Sequence, residues 1–179
     1  MKKVIAFAGS NSKDSINHEL VTAVASNIEA CEIAIVRLTN YDIPLYSEDL
    51  EKESGIPEGV QLLKAEIQKH HGVLISVNEH NGSVSAFFKN ILDWLSRAER
   101  KYLEGRKVLV MSTSPGGRGG KSALEYVITN LPRVGATIVS SFSIPSFQEN
   151  FDLEKGLVSN TDLQKEINKA VTSFEEAIS

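Results

Sequence analysis

The chain has almost no cysteine: Cys31 is the only one among 179 residues. A single thiol rules out an internal disulfide, and with no ligand pattern around it a cysteine-based metal site is ruled out as well. That usage suits a reducing compartment. Long apolar runs are also lacking. The first, Val4 to Ala8, is too short for a signal-peptide core, and no stretch offers the roughly 20 apolar residues of a membrane-spanning helix. The expectation is a cytoplasmic protein. Nor is there an excess of positive charge, since 19 basic residues against 23 acidic ones leave a net charge of −4. No global field therefore draws the chain to nucleic acid or to an anionic membrane, and any polyanion must be bound locally. No repeat, low-complexity tract or linker divides the sequence, so one domain over 1–179 is expected.

What the sequence does contain is alternation. Five short, nearly continuous apolar runs, "VIAFA" (4–8), "IAIV" (33–36), "GVLISV" (72–77), "KVLVMS" (107–112) and "ATIVSS" (136–141), read as strands covered on both faces. Between them apolar residues recur at helical spacing: Leu20, Val24 and Ile28; Val60, Leu63 and Ile67; Phe88, Ile91, Leu92 and Leu95; Leu124, Ile128 and Leu131. Pro57 suits a first helical turn, and Gly72 follows the expected end of that helix. Strands alternating with helices imply a parallel, doubly wound five-stranded sheet in three α/β/α layers. After it, 145–160 reads as a long loop and 161–178 as a closing helix, with Thr161 and Gln164 at capping-box spacing.

In such sheets ligands sit beyond the carboxyl ends of the strands, where strand order reverses. Three of the loops there are unusual. "GSNSKDSIN" (9–17) crowds Ser10, Ser12, Ser15 and Asn17 at a strand-to-helix junction. It reads either as a well-capped turn, with Ser15 as the cap, or as a phosphate cradle at a helix N-terminus, with Lys13 adding charge. "NEHNGS" (78–83) places Asn78, Glu79, His80, Asn81 and Gly82 where the edge of a planar ring could be read. Its plainer reading is an Asn-Gly turn with Ser83 or Ser85 capping the next helix. "SPGGRGG" (114–120) carries four of the chain's 12 glycines, which permits close backbone approach to a flat ligand or simply forms a flexible turn.

Several sharper motifs fail on spacing. A dinucleotide fingerprint needs three glycines where only Gly9 stands. A P-loop ending in Gly120-Lys121-Ser122 would need glycine at Pro115, and a nucleophile elbow around Ser122 would need glycine at Leu124. His80 has no catalytic partner in view, and the adjacent His70 and His71 complete no metal site. The sequence thus offers no catalytic side chain and no metal ligands. Arg97, Arg100, Lys101, Arg106 and Lys107 are interleaved with Glu99 and Glu104, as on a solvated face.

Taken together the three loops, with "NEHNGSVSAFFKNILDWLSR" (78–97) the most specific stretch, resemble the NADPH-dependent FMN reductase family. These are flavodoxin-like enzymes related to quinone, azo-dye and chromate reductases, and the likeness runs over about the first 145 residues. The resemblance implies FMN as cofactor and NADPH or NADH as hydride donor. It implies that Ser10, Ser12, Ser15, Ile16 and Asn17 hold the phosphate, Ile16 through its backbone. Asn78, Glu79, His80, Asn81, Gly82 and Ser83 would meet the ring edge and ribityl chain, and Ser114, Gly116, Gly117 and Arg118 the ring's other side. A quinone, azo, metal-ion or free-flavin acceptor and a homodimer or homotetramer follow from the same likeness. Ser12 replaces a frequent arginine, and Asn78 and His80 replace proline and tyrosine, which implies a weaker phosphate grip and a different loop beside the ring. The alternatives are a flavodoxin-like electron carrier, for which −4 is a mild charge, and a binding module that has lost its cofactor.

Overall fold

Each of the five apolar runs is a strand in the computed structural model, which describes residues 1–179. In chain order the strands are β1 (Lys2–Ala8), β2 (Cys31–Ile35), β3 (Gly72–Val77), a small hairpin of β4 (Glu79–His80) and β5 (Ser83–Val84), β6 (Lys107–Thr113), β7 (Thr137–Ile144), and a second hairpin of β8 (Phe151–Asp152) and β9 (Leu157–Val158). The five long strands form one parallel sheet in the order β2-β1-β3-β6-β7. This is the flavodoxin-like order, and it reverses between β1 and β3, which fixes where a ligand cleft belongs.

Alternation along the strands divides the core in two. Ile5, Phe7, Val73, Ile75, Val108 and Val110 face one side, whereas Val4, Ala6, Ala8, Leu74, Leu109 and Met111 face the other. The first side is covered by α3 (Glu58–Gln68), α4 (Ala86–Ala98) and α5 (Lys121–Asn130), with Leu63, Ile67, Phe88, Ile91, Trp94 and Val127 buried there. The second is covered by α1 (Ile16–Ser26) and the closing helix α7 (Thr161–Ile178) through Leu20, Val24, Ile167, Val171 and Phe174. Burial of each large apolar side chain contributes about 1.5–3 kcal/mol, so both helix layers hold themselves to the sheet.

The departures from the sequence reading are local. Residues 145–160 are not an open loop, because they contain the short helix α6 (Phe147–Asn150) and the β8–β9 hairpin, with Phe147 stacked on Phe151. The cap of α7 is Asn160, whose side chain accepts from Asp162 and Leu163 N–H, and Gln164 bonds Asn168 instead of closing a capping box. Asn160 wins because its carbonyl reaches both first-turn donors. Pro57 is itself the N-cap of α3, one position before the first turn, while Gly72 follows the end of that helix and opens β3 as expected. The acidic stretch Glu48–Ser54 forms α2, which fully buries no residue and so left no apolar periodicity to read.

Candidate active site

The three loops meet at the reversal point. They line an open cleft of about 200 Å³ with Ser10, Ser12, Asp14, Ser15, Ile16, Asn17, Asn78, Glu79, His80, Thr113, Ser114 and Pro115. Larger clefts lie elsewhere, between α1 and the β8–β9 hairpin, beside α2 and α3, and at the end of α4, but none of them is lined by these three loops. Asn81, Gly82, Ser83, Gly116, Gly117 and Arg118 do not line the cleft itself; they belong to the two loops at its rim. Asp14, Thr113 and Pro115 were missed in the sequence, although Thr113 is the polar residue that ends β6 and marks a strand mouth.

Loop one offers donors. Ser15 caps α1 by accepting from His18 N–H at 3.2 Å, so the plain capping reading of Ser15 holds. Ser10 and Ser12 accept from Ser12 N–H and Asp14 N–H, each at 3.2 Å, and their hydroxyl hydrogens are left to donate outward. The N–H groups of Ile16 and Asn17, in the first turn of α1, have no partner within the chain. Free first-turn donors together with the positive end of the helix dipole favour an anion. No lysine or arginine lines the cleft; Arg37 instead donates to Lys13 O at 3.4 Å. Asp14 also lines the cleft, so its lining on this side combines neutral hydroxyl and amide groups with one acid.

The side chain of Asn17 has a different task from the one its motif suggests. It is 2% exposed; its Nδ2 donates to Thr113 O at 3.1 Å, while its Oδ1 accepts from Ser76 Oγ at 2.8 Å and from Thr113 N–H at 3.1 Å. The amide thus pins α1 to the ends of β3 and β6. Ser76, a hydroxyl inside an otherwise apolar strand, is explained by this bond. Burial and the Arg37 guanidinium hold His18, one residue on, below its ordinary value, against the raising effect of Glu19.

The other loops are tied in the same manner. Ser85 caps α4, and its hydroxyl donates to Gly9 O at 2.8 Å. Gly9 itself is packed under α4, where an added Cβ would lie 2.8 Å from Phe88 Cγ. The Asn81-Gly82 dipeptide makes the turn of the β4–β5 hairpin with both φ angles positive, 51° and 77°. At its base Asn78 Nδ2 lies 3.4 Å from His80 Nε2, and Asn78 Oδ1 is buried without a hydrogen-bond partner. His80 is exposed, and no cluster of metal-ligating side chains occurs in the chain. The glycine-rich loop is held from beneath: Ser112 and Ser143 hydroxyls both donate to Gly119 O, at 2.7 and 2.8 Å, while Ser146 and Phe147 N–H bond Gly116 O and Ser114 O. Outside the cleft, His70 Nδ1 and His71 Nδ1 bond Glu66 O and Lys3 N–H, and Arg97 pairs with Glu51, all as structural groups.

The cleft therefore combines an anion cradle of free N–H and hydroxyl donors with the ends of two further loops. That donor set fits a phosphate. Comparison with known proteins agrees. Residues 2–149 match the family described as NADPH-dependent FMN reductase. A quinone reductase of Escherichia coli K12 is 30% identical over 179 residues, covering 98% of this chain and 95% of that protein. A 2-hydroxy-1,4-benzoquinone reductase of a Burkholderia species is 31% identical over 143 residues, 74% of this chain and 76% of that one. The solved structure of a flavoenzyme NAD(P)H:(acceptor) oxidoreductase from Paracoccus denitrificans superposes with a TM-score of 0.79 at 29% identity, covering 99% and 97% of the two chains. The chain belongs to the NADPH-dependent FMN reductase family and is an NAD(P)H-dependent oxidoreductase that works with FMN.

Proposed function

We propose that the cleft binds FMN with its phosphate on the α1 cradle and its ring between the β4–β5 hairpin and the 114–120 loop, and that the acceptor is a quinone-type small molecule. The observation that carries this reading is the meeting of the free Ile16 and Asn17 N–H groups with the Ser10, Ser12 and Ser15 hydroxyls at the sheet's reversal point. FMN bound there would supply the redox chemistry between NAD(P)H and the acceptor. The protein's part is to bind and orient. The phosphate is held by neutral donors and a helix dipole, without a lining cation. Asn17 contributes its backbone N–H, since its side chain is committed to Ser76 and Thr113. Asn78, Glu79, His80, Asn81, Gly82 and Ser83 frame one side of the ring, and Ser114, Gly116, Gly117 and Arg118 the other.

In this reading the chain works as one FMN-binding domain, in the cytoplasm and as a homodimer or homotetramer. The relatives' names, quinone reductase and benzoquinone reductase, support a quinone over an azo, metal-ion or free-flavin acceptor. The phosphate assignment is tested by titrating FMN and riboflavin into the wild type and into the Ser10→Ala/Ser12→Ala double variant. Loss of two hydroxyl donors to a charged group weakens FMN binding by about tenfold or more and leaves riboflavin binding unchanged. Equal losses for both flavins would move the phosphate elsewhere.

A further inference from the structure

Glu79 lines the cleft, and one of its carboxylate oxygens is bonded to α5. Oε2 accepts the backbone N–H groups of Ser122 and Ala123 at 2.8 and 3.2 Å. These are the second and third residues of α5, whose N-cap, Gly120, has no side chain with which to accept them. A residue of the hairpin therefore caps a helix that starts some forty positions later in the sequence. No other hydrogen bond joins the 78–84 segment to α5 or to the glycine-rich loop before it. The carboxylate is thus the polar tie between the hairpin and α5, beside the apolar packing of Val84 in the cluster that holds Ala123 and Leu124. Its second oxygen, Oε1, has no hydrogen-bond partner within the chain, and the residue itself lines the cleft.

We propose that Glu79 is a positioning residue: it clamps the hairpin to α5, fixing the width of the slot that receives the flavin ring, and its charge at the slot wall holds the flavin's reduction potential down. The proposal rests on the reading that the ring lies between these loops. Its electrostatic part follows from sign alone, because a negative charge beside the ring disfavours the more negative reduced form.

The two roles separate under substitution. In Glu79→Gln the amide oxygen still accepts both N–H bonds while the charge is gone; in Glu79→Ala both clamp and charge are lost. The experiment measures FMN affinity by fluorescence quenching, the visible circular dichroism of the bound flavin, and its potential by equilibration with a reference dye. Expected results are an affinity loss of about tenfold or more with a flattened dichroism band for Glu79→Ala, and affinity within about threefold of wild type but a more positive potential for Glu79→Gln. Wild-type affinity and dichroism in Glu79→Ala, or an unchanged potential in Glu79→Gln, would overturn the proposal while leaving FMN binding intact. If Glu79→Ala fails to fold, the Gln variant's potential decides. Failure of the wild-type protein itself to bind FMN would instead remove the reading on which the clamp depends.

Discussion

Asn17 illustrates how one side chain can stabilise a site without touching its ligand. Its amide satisfies a carbonyl, an N–H and a hydroxyl on two different strands, all buried. Asn17→Ala leaves these groups unpaired, and with about 1–3 kcal/mol for an orphaned buried partner the expected loss is about 2–4 kcal/mol. Urea unfolding should show a lower midpoint with an unchanged slope; a loss below about 1 kcal/mol would mean that water replaces the amide. His18 beside it gives the apo protein a pH signature. Burial and Arg37 lower its folded-state value, so as pH falls the unfolded chain takes up the proton first. Stability contributed by neutral His18 is thus full above about 6.5, its ordinary value, and declines as pH falls from there until the folded form also protonates. In His18→Gln that decline should vanish from unfolding curves measured between pH 7.5 and 5, whereas an unchanged slope would assign it to other groups.

At the level of elements, the loops at the strand ends are anchored rather than free. The glycine-rich loop shows this best. Gly119 has φ of 60°, its carbonyl takes the hydroxyls of Ser112 and Ser143, and an added Cβ would lie 2.2 Å from Ser143 Oγ. Both the left-handed backbone and the close approach exclude a side chain. Gly119→Ala should lower stability by about 2 kcal/mol, read as a fall in the thermal midpoint, and weaken FMN binding; a variant as stable as wild type would show the loop to be a loose turn. Little of this anchoring was visible in the sequence. Runs of alternating or continuous apolar residues located every strand of the main sheet and the helices that bury a stripe, because burial is what their residues record. Helix α2 fully buries no residue, only Leu50 packing partly on the core, and so left no periodic trace. The Glu79 cap joins residues more than forty positions apart, and Asn17 and Thr113 are further apart still, separations at which local pattern has no information.

For the whole molecule, a five-stranded parallel sheet covered on both sides supplies a rigid base, and the strand-order reversal between β1 and β3 determines which loops can share a ligand. The serine-rich, Asn-Gly and glycine-rich stretches were legible as candidates because their composition is out of place at strand ends. That they converge is a consequence of topology. Their division of labour, donors in the first, a charged clamp in the second and open backbone in the third, appears only once the side chains have partners.

The most direct test of this account is the visible spectrum of the protein after incubation with FMN and removal of free flavin, followed anaerobically by NADPH and then by a benzoquinone. Retained flavin absorbance that bleaches with NADPH and returns with the quinone is the predicted result. Absorbance that is retained but persists through both NADPH and NADH would contradict the account, since the cleft would then hold flavin without accepting a nicotinamide.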